Sequence, residues 1–200
     1  MKVVISIIVS YLVGSISFAW IIAKAHGIDL RTIGSGNLGA TNLARACGKK
    51  WSYPCFLFDV LKGFIPTFAA KFIILSASVT PAALFLWLAV GIAAILGHIF
   101  PFYLKFKGGK GVATSFGVAL GLWPYYTVAV AVAFIVWLIC VWIWRYISLA
   151  SIAASVVFPL ALTAWIFLKP AWSFTNLWPL LIAAVLVPVM VIWRHRENIK

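Results

Sequence analysis

Long apolar runs alternate along the chain with short polar stretches, and two of those stretches are rich in glycine. The apolar segments run from Val3 to Ala23, Trp51 to Ser76, Pro81 to Phe100, Gly111 to Leu122, Pro124 to Trp144, Ser148 to Leu168 and Leu177 to Trp193. About 20 helical residues at 1.5 Å each cross a ~30 Å hydrocarbon core, a length that the fourth segment falls short of. The pattern predicts an all-α integral membrane protein, a bundle of seven transmembrane helices whose short fourth member tilts or crosses a thinned or protein-buried region. Residues 1–200 are expected to form a single membrane-embedded domain. The run from Val3 to Ala23 is longer than a signal-peptide core and lacks a small-residue cleavage site, so it reads as the first span.

The glycine-rich islands are Gly34 to Asn42, GSGNLGATN, and Gly97 to Ser115, GHIFPFYLKFKGGKGVATS. Glycine lets backbone N–H groups turn toward a ligand with no Cβ in the way, and lysines beside it add charge, so each island suits a phosphate. In the second, a Gly-rich turn, Lys107 to Gly111, leads into the short fourth helix, which aims free N–H groups and the positive helix end at an anion. It is not a Walker loop, because the G-x-x-x-x-G-K-[ST] spacing is absent. In the first, Gly34, Gly36 and Gly39 match G-x-G-x-x-G, with Asp59 near the place of a ribose-binding acid. A dinucleotide site needs a preceding strand and a βαβ unit, whereas a membrane helix precedes this turn and Asp59 lies in the next span. The anion-binding turn survives; the nicotinamide reading does not.

Composition strengthens the membrane assignment: 65% hydrophobic residues, 10% charged, mean hydropathy +1.12. Charge adds an orientation. Lys24, Arg31, Arg45, Lys49, Lys50, Lys105, Lys107, Lys110, Arg145, Arg194, Arg196 and Lys200 fall on one side of a seven-span topology, against Lys2 and Lys169 on the other. The positive-inside rule then puts the N-terminus outside, the C-terminus in the cytoplasm and both islands on the cytoplasmic face. Trp123, Trp144, Trp165, Trp172, Trp178 and Trp193 lie near span ends, as an interfacial aromatic belt requires. No soluble basic module is present to bind nucleic acid. The three cysteines, Cys47, Cys55 and Cys140, have no metal-type spacing and read as reduced thiols.

Other polar residues extend the candidate site. Arg45, close to Ser35, Asn37, Thr41 and Asn42, either binds phosphate through its guanidinium fork or snorkels to lipid headgroups; its neighbours favour substrate. His98, at the end of the third span, donates to a substrate oxygen or to a nearby carbonyl. His195 and Asn198 share a face if the last helix continues. Ser148 and Ser151 share another, where Ser148 adds a hydroxyl to the site or caps its helix. Lys62, three residues after Asp59, is placed to pair with it inside the second span, where charges face the bundle interior or a wet cavity.

Only three acids, Asp29, Asp59 and Glu197, are present, too few for an aspartate-rich two-metal site. No H-x-x-x-x-D follows any histidine either, so the acid-assisted histidine base used by the better-known acyltransferases is missing. Without metal or cofactor, cations can still promote transfer from an already activated donor by holding the partners in line. An acyl phosphate meets that need, with an electrophilic carbonyl, a phosphate leaving group and a chain that belongs in the bilayer. A small phosphorylated alcohol as acceptor supplies a second anion for the second island. The competing class is a membrane transporter of phosphate or a phosphorylated small molecule, which predicts polar groups on both faces rather than one.

GSGNLGATN with Arg45, GHIFPFYLKFKGGKGVAT, RYISLAS and the final RHREN resemble the motifs of the bacterial acyl-phosphate:glycerol-3-phosphate acyltransferases, the PlsY family, over nearly the whole chain. The resemblance implies a seven-helix enzyme of the inner membrane with its active site toward the cytoplasm. It implies transfer of a fatty acyl group from acyl phosphate to the 1-hydroxyl of glycerol 3-phosphate, giving lysophosphatidic acid and phosphate, the first step of phospholipid synthesis. Coupling to an enzyme that forms acyl phosphate follows. Ser35, Arg45, His195 and Asn198 become the catalytic set. Gly36, Asn37, Thr41, Asn42, His98, Lys105, Lys107, Gly108, Gly109, Lys110, Thr114 and Ser148 become the substrate-binding set. Either a substrate phosphate oxygen or His195, with an ordinary pKa near 6.5, takes the acceptor's proton.

Overall fold

The computed structural model describes residues 1–75, 79–170, 172 and 174–194, the side chain of Arg194 excepted. Its helices are α1 (Lys2–Ser15), α2 (Phe18–Ala25), α3 (Ala40–Cys47), α4 (Lys49–Ile74), α5 (Pro81–Ile99), α6 (Val112–Gly121), α7 (Thr127–Trp144), α8 (Ile147–Phe167) and α9 (Phe174–Arg194). Single 3-10 turns lie at Leu30–Thr32 and Phe102–Leu104, and there is no strand among the described residues. Five stretches are long and apolar enough to cross a membrane: Lys2–Ala25, Pro81–Leu104, Thr127–Trp144, Ile147–Phe167 and Phe174–Trp193. α4 has 26 residues but carries Asp59, Lys62 and Lys71 within it, and α6 has only 10.

The helical segments follow the expected apolar runs closely, with one difference. The first run is not a single helix: α1 stops at Ser15, Ile16 is extended, and Ser17 caps α2 by accepting from the amide of Trp20. A break inside an apolar span frees backbone groups that lipid cannot satisfy. Here the Tyr103 hydroxyl donates to the carbonyl of Ser15 at 2.9 Å and accepts from the amide of Ser17 at 2.9 Å, while Lys62 Nζ donates to the carbonyl of Ile16 at 2.7 Å. Side chains from distant segments thus take the place of the missing helical hydrogen bonds.

The chain divides into two compact units, Met1–Ala70 with Ala89–Gly121, and Lys71–Leu88 with Leu122–Lys200. In the first, helix backbones approach so closely that glycine is required. A Cβ on Gly97 of α5 would strike the backbone of α1 at Tyr11 and Ser15, and one on Gly117 of α6 would strike the carbonyl of Val60 in α4. Small residues at such crossings suit membrane bundles, where packing rather than hydrophobic exclusion holds helices together. The Ser10 hydroxyl adds a buried hydrogen bond from α1 to the carbonyl of Val90 at 2.6 Å.

In the second unit α8 packs against both α7 and α9. The buried Tyr126 hydroxyl donates to the carbonyl of Leu180, and Trp137 Nε1 donates to Ser151 Oγ at 3.4 Å. Lys71 and Lys169 set their ammonium groups over the rings of Trp123 and Trp165 at 4.1 and 4.9 Å, favourable cation–π contacts.

Candidate functional site

Both islands lie in the first unit, over one buried apolar cluster. Leu30, Leu38 and Leu43 from the first island's segment and Leu104 from the second pack with Ala19 and Ala23 of α2 and Cys55 of α4. Trp51, Cys47 and Ala46 close its edges. Two stretches some 60 residues apart in sequence are therefore rooted in the same core, a relation no local pattern discloses.

The first island is a loop folded around Asn42. Its side-chain oxygen accepts from the amide of Ser35 at 3.2 Å, and its nitrogen donates to the carbonyls of Leu30 and Ile33 at 3.1 and 2.9 Å. Asn42 is 1% exposed. This corrects its expected part in substrate binding: both of its N–H donors already serve the loop. Gly34 (φ +56) and Gly36 (φ +65) take left-handed turns that most residues resist. The space a side chain at Gly34 would need is filled by Asn42 and, 3.6 Å away, by the stem of Arg45. The arrangement leaves Ser35, Thr41 and Arg45 exposed on one short segment, with Asn37 half-buried. Thr41 and Arg45, four apart on α3, share a face.

The second island reverses direction at Lys105 (φ 53) and Phe106 (φ 58), two left-handed residues that are not glycine. Such conformations cost of order 1 kcal/mol or more each and persist where surrounding contacts impose them. Lys105 and Lys107 are exposed and Lys110 half-buried. The turn does not offer all its amides to a ligand as expected. Gly108 N–H donates to the carbonyl of Ile99 at 3.0 Å and Gly109 N–H to the carbonyl of His98 at 3.1 Å, closing the end of α5. Their value lies in closeness: a Cβ on Gly108 would overlap the His98 carbonyl, and one on Gly109 the His98 ring. After Gly111 (φ +87) the chain enters α6, whose first helical bond runs from the amide of Ser115 to the carbonyl of Gly111 at 2.7 Å, so the amides of Val112, Ala113 and Thr114 precede any acceptor within the helix. Within that turn the Thr114 and Ser115 hydroxyls, both buried at the oxygen, have no hydrogen-bond partner.

His98, expected to donate to a substrate oxygen or to a nearby carbonyl, is 6% exposed. Nδ1 lies 3.6 Å from Asp59 Oδ1, which in turn meets Lys62 Nζ at 2.6 Å. The Asp59–Lys62 pair is thus as the sequence led us to expect. The acid–histidine pair is not, because its members come from α4 and α5.

Ser148 is half-buried in the first turn of α8, in the second unit. Ser151, one turn on, is 2% exposed and donates to the carbonyl of Ile147 at 2.8 Å. His195 and Asn198 lie outside the described residues. At the surface near the islands, Arg31 donates to Asp29 through Nε and Nη2, both at 2.9 Å, and this pairing holds the Asp29 carboxyl below the usual carboxylate range.

The resulting site is cationic and glycine-lined, with exposed hydroxyls on one island and a helix N-terminus on the other. Arg45, Lys105, Lys107 and Lys110 supply the charge, and cations beside a helix N-terminus are chemically suited to anions. Comparison with known proteins agrees with that chemistry. Residues 4–200 match the glycerol-3-phosphate acyltransferase family. The chain is 44% identical over 202 residues to the glycerol-3-phosphate acyltransferase of Aquifex aeolicus, covering 100% of this chain and 94% of the relative. It is 40% identical over 198 residues to that of Geotalea daltonii, covering 98% and 92%. A crystal structure of PlsY, described as an integral membrane glycerol 3-phosphate acyltransferase in its glycerol 3-phosphate form, superposes with a TM-score of 0.83 at 39% identity, covering 100% of this chain and 90% of that one.

Proposed function

We propose, for a chain that belongs to the PlsY family of glycerol-3-phosphate acyltransferases, that the acyl donor is an acyl phosphate and that the reaction runs without a protein carboxylate base. The acceptor's 1-hydroxyl oxygen attacks the acyl carbonyl carbon, the bond from that carbon to the phosphate oxygen breaks, and the hydroxyl proton leaves with the phosphate. The products are lysophosphatidic acid and inorganic phosphate. The observation that carries the reading is the common core beneath the two cationic islands, which supports two anions held side by side. Holding two reactants in line is itself a large part of catalysis when the donor is already activated.

In this reading Arg45, with Ser35 and Thr41 beside it, holds the phosphate of the donor, and Lys107, Lys110 and the first turn of α6 hold that of glycerol 3-phosphate. Gly36, Asn37 and Lys105 line the approach, and the resemblance to the family assigns Ser148, His195 and Asn198 to positioning the reacting groups. The leaving phosphate accepts the proton; the Asp59 carboxylate, 2% exposed and engaged with Lys62, does not reach the substrates. Cations near the phosphates stabilise charge that builds on the leaving group and on the tetrahedral oxygen. In the same reading seven spans leave the N-terminus outside and the C-terminus and site at the cytoplasmic face of the inner membrane, a topology supported by the distribution of basic residues, and a separate enzyme supplies the acyl phosphate.

The test is purified full-length protein in lipid, given palmitoyl phosphate and glycerol 3-phosphate and followed for phosphate and lysophosphatidic acid. The expected result is phosphate release that depends on the acceptor and matches product one to one. Turnover with palmitoyl coenzyme A or palmitoyl acyl carrier protein, and none with palmitoyl phosphate, would overturn the choice of donor.

A further inference from the structure

A buried ion pair inside a membrane helix is costly to desolvate and adds little stability by itself. In this chain Asp59 and Lys62 are 2% and 4% exposed, and the reaction proposed above uses neither. Their contacts indicate what they hold. Asp59 Oδ1 faces Lys62 Nζ at 2.6 Å and His98 Nδ1 at 3.6 Å, and Oδ2 accepts from Cys55 Sγ at 3.8 Å. The His98 ring lies between this carboxylate and Gly109, where its Nε2 edge fills the space a side chain would take. The main-chain oxygens of His98 and Ile99 accept the amides of Gly109 and Gly108. His98 therefore touches the turn with its ring and its backbone together, while the Asp59 carboxylate faces the Nδ1 edge of that ring at 3.6 Å, an electrostatic contact longer than a hydrogen bond.

We infer that Asp59 is a positioning residue, acting through His98 on the Gly108–Gly109 turn, and that it fixes where the flanking Lys107 and Lys110 meet the acceptor's phosphate. This rests on the assignment of the second island to glycerol 3-phosphate. Lys62 makes the arrangement compatible with an anionic substrate: it neutralises the carboxylate, which would otherwise repel the phosphate from below the turn. The alternative, an Asp59–His98 general-base dyad, is disfavoured by the enclosure of Nε2 against Gly109. Second-layer carboxylates that orient a histidine behave similarly at metal sites, where their loss weakens the layer they support.

The experiment is steady-state kinetics of full-length Asp59→Asn and His98→Asn in lipid, with palmitoyl phosphate and glycerol 3-phosphate varied separately. The KM for glycerol 3-phosphate is expected to rise roughly 10- to 100-fold in each variant. In the same enzymes kcat stays within about threefold and the KM for palmitoyl phosphate is unchanged. Equal rises in both KM values, a fall in kcat at constant KM, or unchanged kinetics would each overturn the inference. Asp59→Asn leaves Lys62 buried without its counter-charge, so Asp59→Asn is combined with Lys62→Gln, which removes both charges and keeps an N–H donor for the carbonyl of Ile16. The double variant is expected to show the same selective rise; a normal KM for glycerol 3-phosphate in it refutes the inference. A wild-type enzyme with no acceptor-dependent phosphate release would refute the proposed reaction instead.

Discussion

The side-chain oxygen of Asn42 accepts the amide of Ser35 at 3.2 Å, seven residues back along the chain, while the nitrogen of the same side chain binds the carbonyls of Leu30 and Ile33. One buried amide thereby sets the shape of the loop that presents Ser35. Asn42→Ala removes all three bonds and strands two carbonyls, at a cost of about 2–3 kcal/mol. Asn42→Asp keeps only an acceptor and sets a carboxylate against those carbonyls, so it is expected to be no better. Thermal unfolding of the purified protein measures both, and an unchanged melting temperature in Asn42→Ala would contradict the clamp.

Arg45 is exposed, so its removal is expected to spare stability and impair activity. Arg45→Lys keeps the charge but not the planar fork. A loss of roughly tenfold or more in kcat/KM is expected, equivalent to about 1.5 kcal/mol for one charge-assisted hydrogen bond. Wild-type kcat/KM in Arg45→Lys would show that the guanidinium serves lipid headgroups instead.

Gly108 and Gly27 separate crowding from backbone conformation. A Cβ on Gly108 would collide with the carbonyls of His98 and Ile99 and with Pro101, whereas one on Gly27 (φ +70) would meet nothing within 4 Å. Gly27→Ala is expected to cost only the left-handed penalty of about 1–2 kcal/mol. Gly108→Ala must displace the turn, and a shift near 1 Å at a phosphate-holding segment is expected to reduce turnover roughly 100-fold. Paired activity and melting measurements on the two variants check this; similar activities would show that the turn tolerates displacement.

Tyr103→Phe removes one oxygen that serves both sides of the break in the first span. The carbonyl of Ser15 and the amide of Ser17 then lose a partner, and a destabilisation of about 1–3 kcal/mol is expected. The same substitution at Tyr53, which is 70% exposed, is expected to leave the melting temperature unchanged. Equal melting temperatures for the two variants would show that the break does not depend on Tyr103.

Span positions were legible because a run of some 20 apolar residues is a physical requirement for crossing lipid. The shortness of α6 and the pairing of Lys62 with Asp59 were legible for similarly local reasons, one a matter of length and the other of helical spacing. The islands announced themselves through glycine and lysine. What each residue does within them was less accessible. Asn42 and Asn37 look alike in sequence, yet one is enclosed by its own loop; composition does not tell which way an amide faces. The amides of Gly108 and Gly109 read as free until the end of α5 is seen to accept them. The break at Ile16 left only a faint signal, Gly14, Ser15 and Ser17 within an otherwise apolar run, and its partners Lys62 and Tyr103 arrive from other segments. The His98–Asp59 pair has no local signature, because its members stand on different helices 39 residues apart.

The interrupted first span also bears on how the protein is made. When residues 1–25 enter the bilayer, the groups that satisfy the backbone at Ser15, Ile16 and Ser17 are still unsynthesised: Lys62 lies 46 residues later and Tyr103 later still. An unpaired carbonyl in hydrocarbon is costly, so the nascent segment is better served by a continuous helix at first. The kink then belongs to assembly rather than insertion, adopted when α4 and the end of α5 arrive with their polar side chains. The first span to be synthesised would be among the last to reach its final shape, and a ribosome stalled before Tyr103 emerges would hold a straight helix where the finished protein has a bent one.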